Sequence, residues 1–194
     1  MYRRHACIKT SCGSAMVQWC IAALPLLLLG AISIELSHWH ATRQRLTLAV
    51  QRAVDASSLS GGTTDALERH LALNLASDLR MPMRACVTDD VGALMADFVD
   101  RRLSTDLGQR VIRHDHIAAQ HQRALSKGWP QGRGPRSRKT IFEANRLNVK
   151  ITAQFRPLSP WVRYVLNPVI FELRHQAIMQ SHRQTMRRRC LNMH

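Results

Sequence analysis

Ten histidines, five cysteines and thirteen carboxylates are the groups in this 194-residue chain with the chemistry to ligate a metal, attack a carbonyl or move a proton. The densest histidine cluster is His114-Asp115-His116, with His121 following; His38 and His40 form a second pair. On a helix, His114 and His116 point to different faces, and no H-E-x-x-H spacing occurs. A zinc site needs three or four convergent ligands, so these histidines read as surface residues, with no metal and no cofactor. Asp89-Asp90 reads as an acidic helix start complementing the helix dipole, not as a catalytic carboxylate pair. No G-x-S-x-G, Walker or dinucleotide-binding glycine pattern is present. The chain reads as a non-enzyme.

The cysteines divide by position. Cys7, Cys12 and Cys20 lie before or inside a long apolar run, and Cys86 and Cys190 lie beyond it. None forms a C-x-x-C pair, which leaves a zinc ribbon or a redox motif unsupported. In an oxidising compartment Cys86 and Cys190 can bridge and close a large loop. Two unrelated free thiols are the alternative, and spacing does not decide between them.

What must position these groups is dominated by Ala15–Leu36, AMVQWCIAALPLLLLGAISIEL. No charge falls between Trp19 and Ile34, and the last one before the run is Lys9. About 20 mostly apolar residues cross the hydrocarbon of a bilayer as a helix, and an all-round apolar face is unlike that of a surface helix. The segment reads as a single membrane span. A cleaved secretory signal is the rival reading, but the run exceeds the usual apolar region and no good small-x-small site follows it. Arg3, Arg4 and Lys9 on one flank balance Arg43, Arg45 and Arg52 on the other, so charge alone leaves orientation open. The net charge of +15 suits anionic lipid head groups as well as nucleic acid; with a span present, nucleic acid is the disfavoured partner.

Beyond Glu35 the helical pattern continues. Leu46, Val50, Ala53, Val54 and Ala56 recur at spacings of three and four, up to a stop at Ser60-Gly61-Gly62. Thr64–Leu79 reads as a second helix with Leu67, Leu71 and Leu75 on one face, ended by Met81-Pro82-Met83. Thr88-Asp89-Asp90 starts a third, with Val91, Leu94, Met95, Phe98, Val99 and Leu103 as its apolar face. Leu107–Leu125 reads as a fourth. Lys127–Lys139 is a basic loop rich in Gly and Pro. Leu147–Arg156 alternates and reads as a half-buried strand. Its partner is expected in Arg138–Glu143 or Ala177–Cys190. Trp161–Leu173 reads as a helix interrupted by Pro168, and Arg183 with Arg187-Arg188-Arg189 as a basic tail cluster. The fold class is α+β: a long transmembrane and amphipathic helix, then a small, mostly helical domain with a short antiparallel sheet.

These residues assemble a familiar pattern. Gly13-Ser14-Ala15-Met16-Val17-Gln18-Trp19, then Leu24-Pro25-Leu26-Leu27-Leu28-Leu29-Gly30, then Glu35-Leu36, resembles the N-terminus of TadE-like proteins (TadE/TadG-like), pseudopilins of the tight-adherence, Flp-type pilus machinery. Arg43-Gln44-Arg45-Leu46 and Val54-Asp55-Ala56-Ser57-Ser58-Leu59 are similar to the family's continuation. Thr140-Ile141-Phe142-Glu143-Ala144-Asn145 and Leu147-Asn148-Val149-Lys150-Ile151-Thr152 are similar to a segment of its longer members. The resemblance implies a basic leader over 1–13, cut by a prepilin peptidase after Gly13 to leave Ser14 as the new terminus. It further implies a transmembrane helix over 14–36 in the bacterial inner membrane, an amphipathic continuation over 37–60, and a periplasmic α+β domain over 61–194. The partners would be pilus assembly proteins, and the role non-catalytic assistance of assembly or anchoring. Gln18 stands where the family carries a glutamate; it supplies no charge to pair with a neighbouring subunit's amino terminus, though it is cheaper to bury than an unpaired carboxylate. The alternative is a single-span basic membrane protein that binds anionic lipid or nucleic acid through Lys127–Lys139 and Arg187–Arg189.

Overall fold

The computed structural model describes residues 12–75, 81–165, 169–186 and 189–193. Helix α1 (Cys12–Leu59) runs unbroken for 48 residues, about 72 Å at 1.5 Å per residue. It joins the apolar run and the amphipathic arm into one element, and it is the one helix among the described residues long and apolar enough to cross a membrane. It ends where Gly61 and Gly62 turn into the left-handed region (φ +83° and +65°), which glycine enters without a Cβ penalty. The Gly62 amide donates back to the Ser57 carbonyl at 2.9 Å, closing the last turn.

Helix α2 (Thr64–Asn74) is capped by Thr63, whose hydroxyl accepts from the Ala66 amide. Leu67 and Leu71 on its apolar face are buried against α1. The helix stops at Asn74, where Leu75 turns extended as its C-cap, short of the expected end at Leu79; residues 76–80 lie outside the described set. Met81-Pro82-Met83 does not merely end a helix: β1 (Met83–Val87) starts there. The third helix is two. Asp90 caps α3 (Val91–Phe98) and Asp100 caps α4 (Arg101–Asp106), each through a side-chain oxygen taking the amide three residues on. The expected helix over Leu107–Leu125 is replaced by a glycine turn at Gly108 (φ +65°), β2 (Val111–Ile112) and α5 (Ile117–Ser126). Lys127–Lys139 is a loop apart from a single 3-10 turn at Pro130–Gly132. Arg138–Glu143 is not a strand, because Thr140 and Glu143 form a reciprocal capping box that starts α6 (Ile141–Ala144).

Strand β3 (Arg146–Phe155) is the alternating segment, with Leu147, Val149, Ile151, Ala153 and Phe155 all buried. Helix α7 (Pro160–Val165) is short, and the expected helix to Leu173 instead gives way to β4 (Val169–Ile178); Pro168 lies outside the described residues. Strands β5 (Arg183–Gln184) and β6 (Cys190–Met193) complete the chain. The main sheet is antiparallel in the order β4-β3-β1-β6, and β2 pairs with β5. The partners of β3 are β4 and β1: the expected region Ala177–Cys190 meets it only at Ala177 and Ile178, β5 within that region pairs with β2 instead, and β1 comes from a segment read only as a helix stop.

One sheet face carries Met83, Ala85, Val87, Val149, Ile151, Ala153 and Phe171, and these pack with Leu46, Val50, Ala53 and Val54 of α1 in a single buried cluster. A second, smaller cluster joins Val91, Leu94 and Met95 of α3 to Ile112, Ile141 and Ala144, and Met186 touches both.

Candidate functional site

Among the described residues, nothing packs on the N-terminal half of α1. Met16, Trp19, Ile21, Leu24, Leu26, Leu27 and Leu29 are each more than half exposed, a surface that water alone would penalise strongly. Two serine hydroxyls are satisfied within the helix: Ser33 donates to the Leu29 carbonyl and Ser37 to the Ser33 carbonyl, both at 2.8 Å. That is the arrangement a hydrocarbon environment demands. Gly13 and Ser14 lie in the first turn of α1. Gln18, one turn beyond Ser14, is exposed. Pro25 removes one backbone donor inside this half.

At Glu35 the character of the helix changes. Its carboxylate accepts the Leu158 amide at 2.9 Å, the Ser159 amide at 3.2 Å and the Ser159 hydroxyl at 3.0 Å, across 123 and 124 residues of chain. One turn on, the His38 ring meets Phe155 and Trp39 meets Phe171, with centroids 5.4 and 5.7 Å apart, and the Arg43 guanidinium lies over Trp39. From there Thr42, Leu46, Ala49 and Val50 are buried under the sheet. A bare apolar rod thus becomes a clamped core helix within about one turn. The sequence marks both halves; the Glu35 contacts, made to a loop far along the chain, have no local signal.

Asp89 is not a simple dipole complement. It and Arg183 are the most completely buried charges described, their side chains 1% and 0% exposed, paired at 2.9 Å. Arg183 also donates to the Ala144 and Arg146 carbonyls at 2.8 and 2.9 Å. The other Asp89 oxygen accepts from Lys139 at 2.7 Å and Asn148 at 2.9 Å. Burial pushes the Asp89 carboxyl upward, but Lys139, Arg183 and Asn148 together outweigh it and hold the group below its ordinary value. This network knits the two apolar clusters together. It also removes Arg183 from the expected basic tail. Arg189 likewise turns inward, donating to the Val87 and Thr88 carbonyls, while residues 187 and 188 lie outside the described set.

Cys86 and Cys190 face each other across β1 and β6 and are joined by a disulfide between Cα atoms 4.1 Å apart. Cys20 is a free, exposed thiol. The basic loop is largely engaged: Lys139 holds Asp89, Arg133 approaches Glu143 at 3.6 Å, Lys127 lies over Trp129, and Asp97 accepts the Arg136 and Ser137 amides.

The histidines are not all dispersed. The β2–β5 pairing brings His182 to His114, with Nδ1 to Nδ1 at 3.0 Å. Asp115 completes a group whose ligand atoms lie within 4.8 Å of one another. Arg113 grips Asp115 through two bonds, at 2.8 and 2.6 Å, and holds its carboxyl well below the usual range. Burial, helped by His114, pushes the His182 imidazole below its ordinary value. Beside His182 opens a cleft of about 640 Å³ lined by Arg101, Arg102, Arg113 and Arg123 with Asp100 and Asp106. His182 was invisible to sequence reasoning, because it lies 68 residues from His114. Comparison of the chain with protein-family models, curated proteins and solved structures returned no match.

Proposed function

We propose that this chain is a TadE-like pseudopilin of the bacterial inner membrane, with a single span, a cytoplasmic N-terminus and a periplasmic domain, and that it assists the assembly or anchoring of a tight-adherence pilus without catalysing a reaction. The observation that carries the reading is the division of α1 at Glu35. The unpackaged apolar half, Met16–Ile34, is free to lie among lipids or other helices, and the other half is the spine of a disulfide-bearing domain. Helix packing in a membrane is a matter of close side-chain contact and of polar groups satisfied in hydrocarbon; this half leaves its apolar side chains free for the first, and Ser33 is an instance of the second. The disulfide suits an oxidising compartment for the domain. Processing after Gly13 by a prepilin peptidase and engagement of pilus assembly proteins rest on the resemblance of residues 13–60 and 140–160.

N-terminal sequencing of the protein recovered from membranes is the test. A start at Ser14 is expected. A start at Met1 overturns the processing, and a start beyond Ile32 makes the segment a secretory signal. The rival reading, a basic single-span protein binding anionic lipid or nucleic acid, loses ground at Lys127–Lys139, where Lys139, Arg133 and Lys127 already have partners within the fold.

A further inference from the structure

We propose that His114, His182 and Asp115 form a binding site for a divalent transition-metal ion of the zinc type, independent of the pilus reading. The geometry is that of a pair of ligands held together by one proton. The His114 amide and the His114 ring both point at Nδ1 of His182, at 3.4 and 3.0 Å. Nδ1 of His182 is therefore the acceptor, and the ring of His114 is the donor. A metal ion takes the place of that proton once His114 moves its hydrogen to Nε2, a tautomer change that leaves both imidazoles neutral. Two nitrogens bound to one tetrahedral zinc at 2.0–2.1 Å stand about 3.4 Å apart. The pair has only to open by a few tenths of an ångström.

Asp115 supplies the third ligand. Each of its oxygens gives one lone pair to Arg113 and keeps another. Arg113 thus orients the carboxylate as an outer-shell partner does in metal sites. Arg113 lies against two carboxylates, Asp115 at 2.6 Å and Asp100 at 3.7 Å, so this trio by itself is net negative. Of the three ligands, His182 borders the cleft, which has room for a water or an anion as a fourth. Arg101, Arg102 and Arg123 across the cleft have no carboxylate within ion-pair distance among the described residues. They oppose a bare dication and favour an anion as the fourth ligand. Nitrogen and oxygen donors in this mix suit zinc and its neighbours better than magnesium or calcium.

The test uses the untagged full-length protein in detergent, with Zn²⁺ as the probe in chloride buffer. Wild type is expected to bind one equivalent that His182→Gln and His114→Gln each weaken by at least about tenfold, while His40→Gln, on the exposed face of α1, does not. A readout on the wild type alone guards against a variant that fails to fold. Histidine modification by diethylpyrocarbonate, mapped by mass spectrometry, should be blocked by Zn²⁺ at His114 and His182. Absence of a bound equivalent, or protection confined to other histidines, overturns the proposal.

Discussion

Replacing Arg183 with Met should be among the most damaging single changes in the domain. The substitution keeps most of the side-chain volume but leaves the Ala144 and Arg146 carbonyls without their donors and strips one partner from a carboxylate that is 1% exposed. Removing one member of a buried pair costs about 3–5 kcal/mol, because the remaining charge is stranded. Lys139 and Asn148 still hold the other Asp89 oxygen, which argues for the lower end, about 3 kcal/mol. With a urea dependence of about 2 kcal/mol per molar for a domain of this size, the unfolding midpoint should fall by about 1.5 M. The assay is urea unfolding of the full chain in detergent, followed by tryptophan fluorescence. Arg174→Met is the control: that residue is 76% exposed and, among the described residues, pairs with Glu172 alone on the outer sheet face, so a shift within about 0.5 kcal/mol is expected. A double-mutant cycle with Asp89→Asn should return a coupling of about 1–3 kcal/mol. A midpoint shift for Arg183→Met no larger than the control's would refute the network as a joint between the two clusters.

Four further outcomes follow from the same structure. Asp89 has a folded pKa below its unfolded value, so its stabilisation is complete above about pH 4 and is lost as pH falls through the folded value; the stability difference between wild type and Asp89→Asn should be full above that window, shrink through it and be smallest below it. Cys86→Ser opens a bridge spanning 104 residues and should cost about 2–5 kcal/mol; identical gel mobility of the wild type with and without reductant would show that no bridge forms. Gly62→Ala must adopt φ +65° and bring a Cβ within 2.9 Å of the Met179 sulfur, for an expected loss of about 1–3 kcal/mol in the same urea assay. Glu35→Gln weakens three charge-assisted bonds at once, and hydrogen exchange at the Leu158 and Ser159 amides should speed up by about tenfold or more; unchanged exchange would mean the strap does not form.

What could be read ahead of the structure follows from how local the signal is. Helix α1 is legible because an all-round apolar run and then a three-and-four periodicity follow one another from Ala15 to Leu59, with Pro25 the one interior proline, and two glycines stop them. Strand β3 is legible because ten residues alternate without exception. Its partners are not, for identifiable reasons. In β1 only Met83, Ala85 and Val87 face inward, too short a pattern beside Pro82 to outweigh a helix-stop reading. In β4 the outward face carries Ile170 and Ile178, which are 62% and 68% exposed, so apolar residues on both faces hide the period of two. The Leu107–Leu125 segment looked helical because its turn at Gly108 and the two-residue β2 are stabilised by pairing with β5, more than 70 residues away. The same holds for the sites. Gly13, Ser14 and Gln18 are drawn from one contiguous stretch of sequence. Asp89 with Arg183, Glu35 with Ser159, and His114 with His182 are each made by topology, and nothing in the flanking residues announces them.

The continuity of α1 through Glu35 has a mechanical consequence. No flexible joint separates the apolar half from the domain: the backbone ladder is unbroken from Cys12 to Leu59 apart from the donor missing at Pro25, and the strap at Glu35 stiffens the point where a linker would ordinarily sit. A tilt or rotation imposed on the apolar half is carried along the helix to the sheet, as by a lever. From Pro25 to Leu59 the arm is about 50 Å long, so ten degrees of bending at the proline sweeps the far end through roughly 9 Å, while the clamped sheet keeps its register.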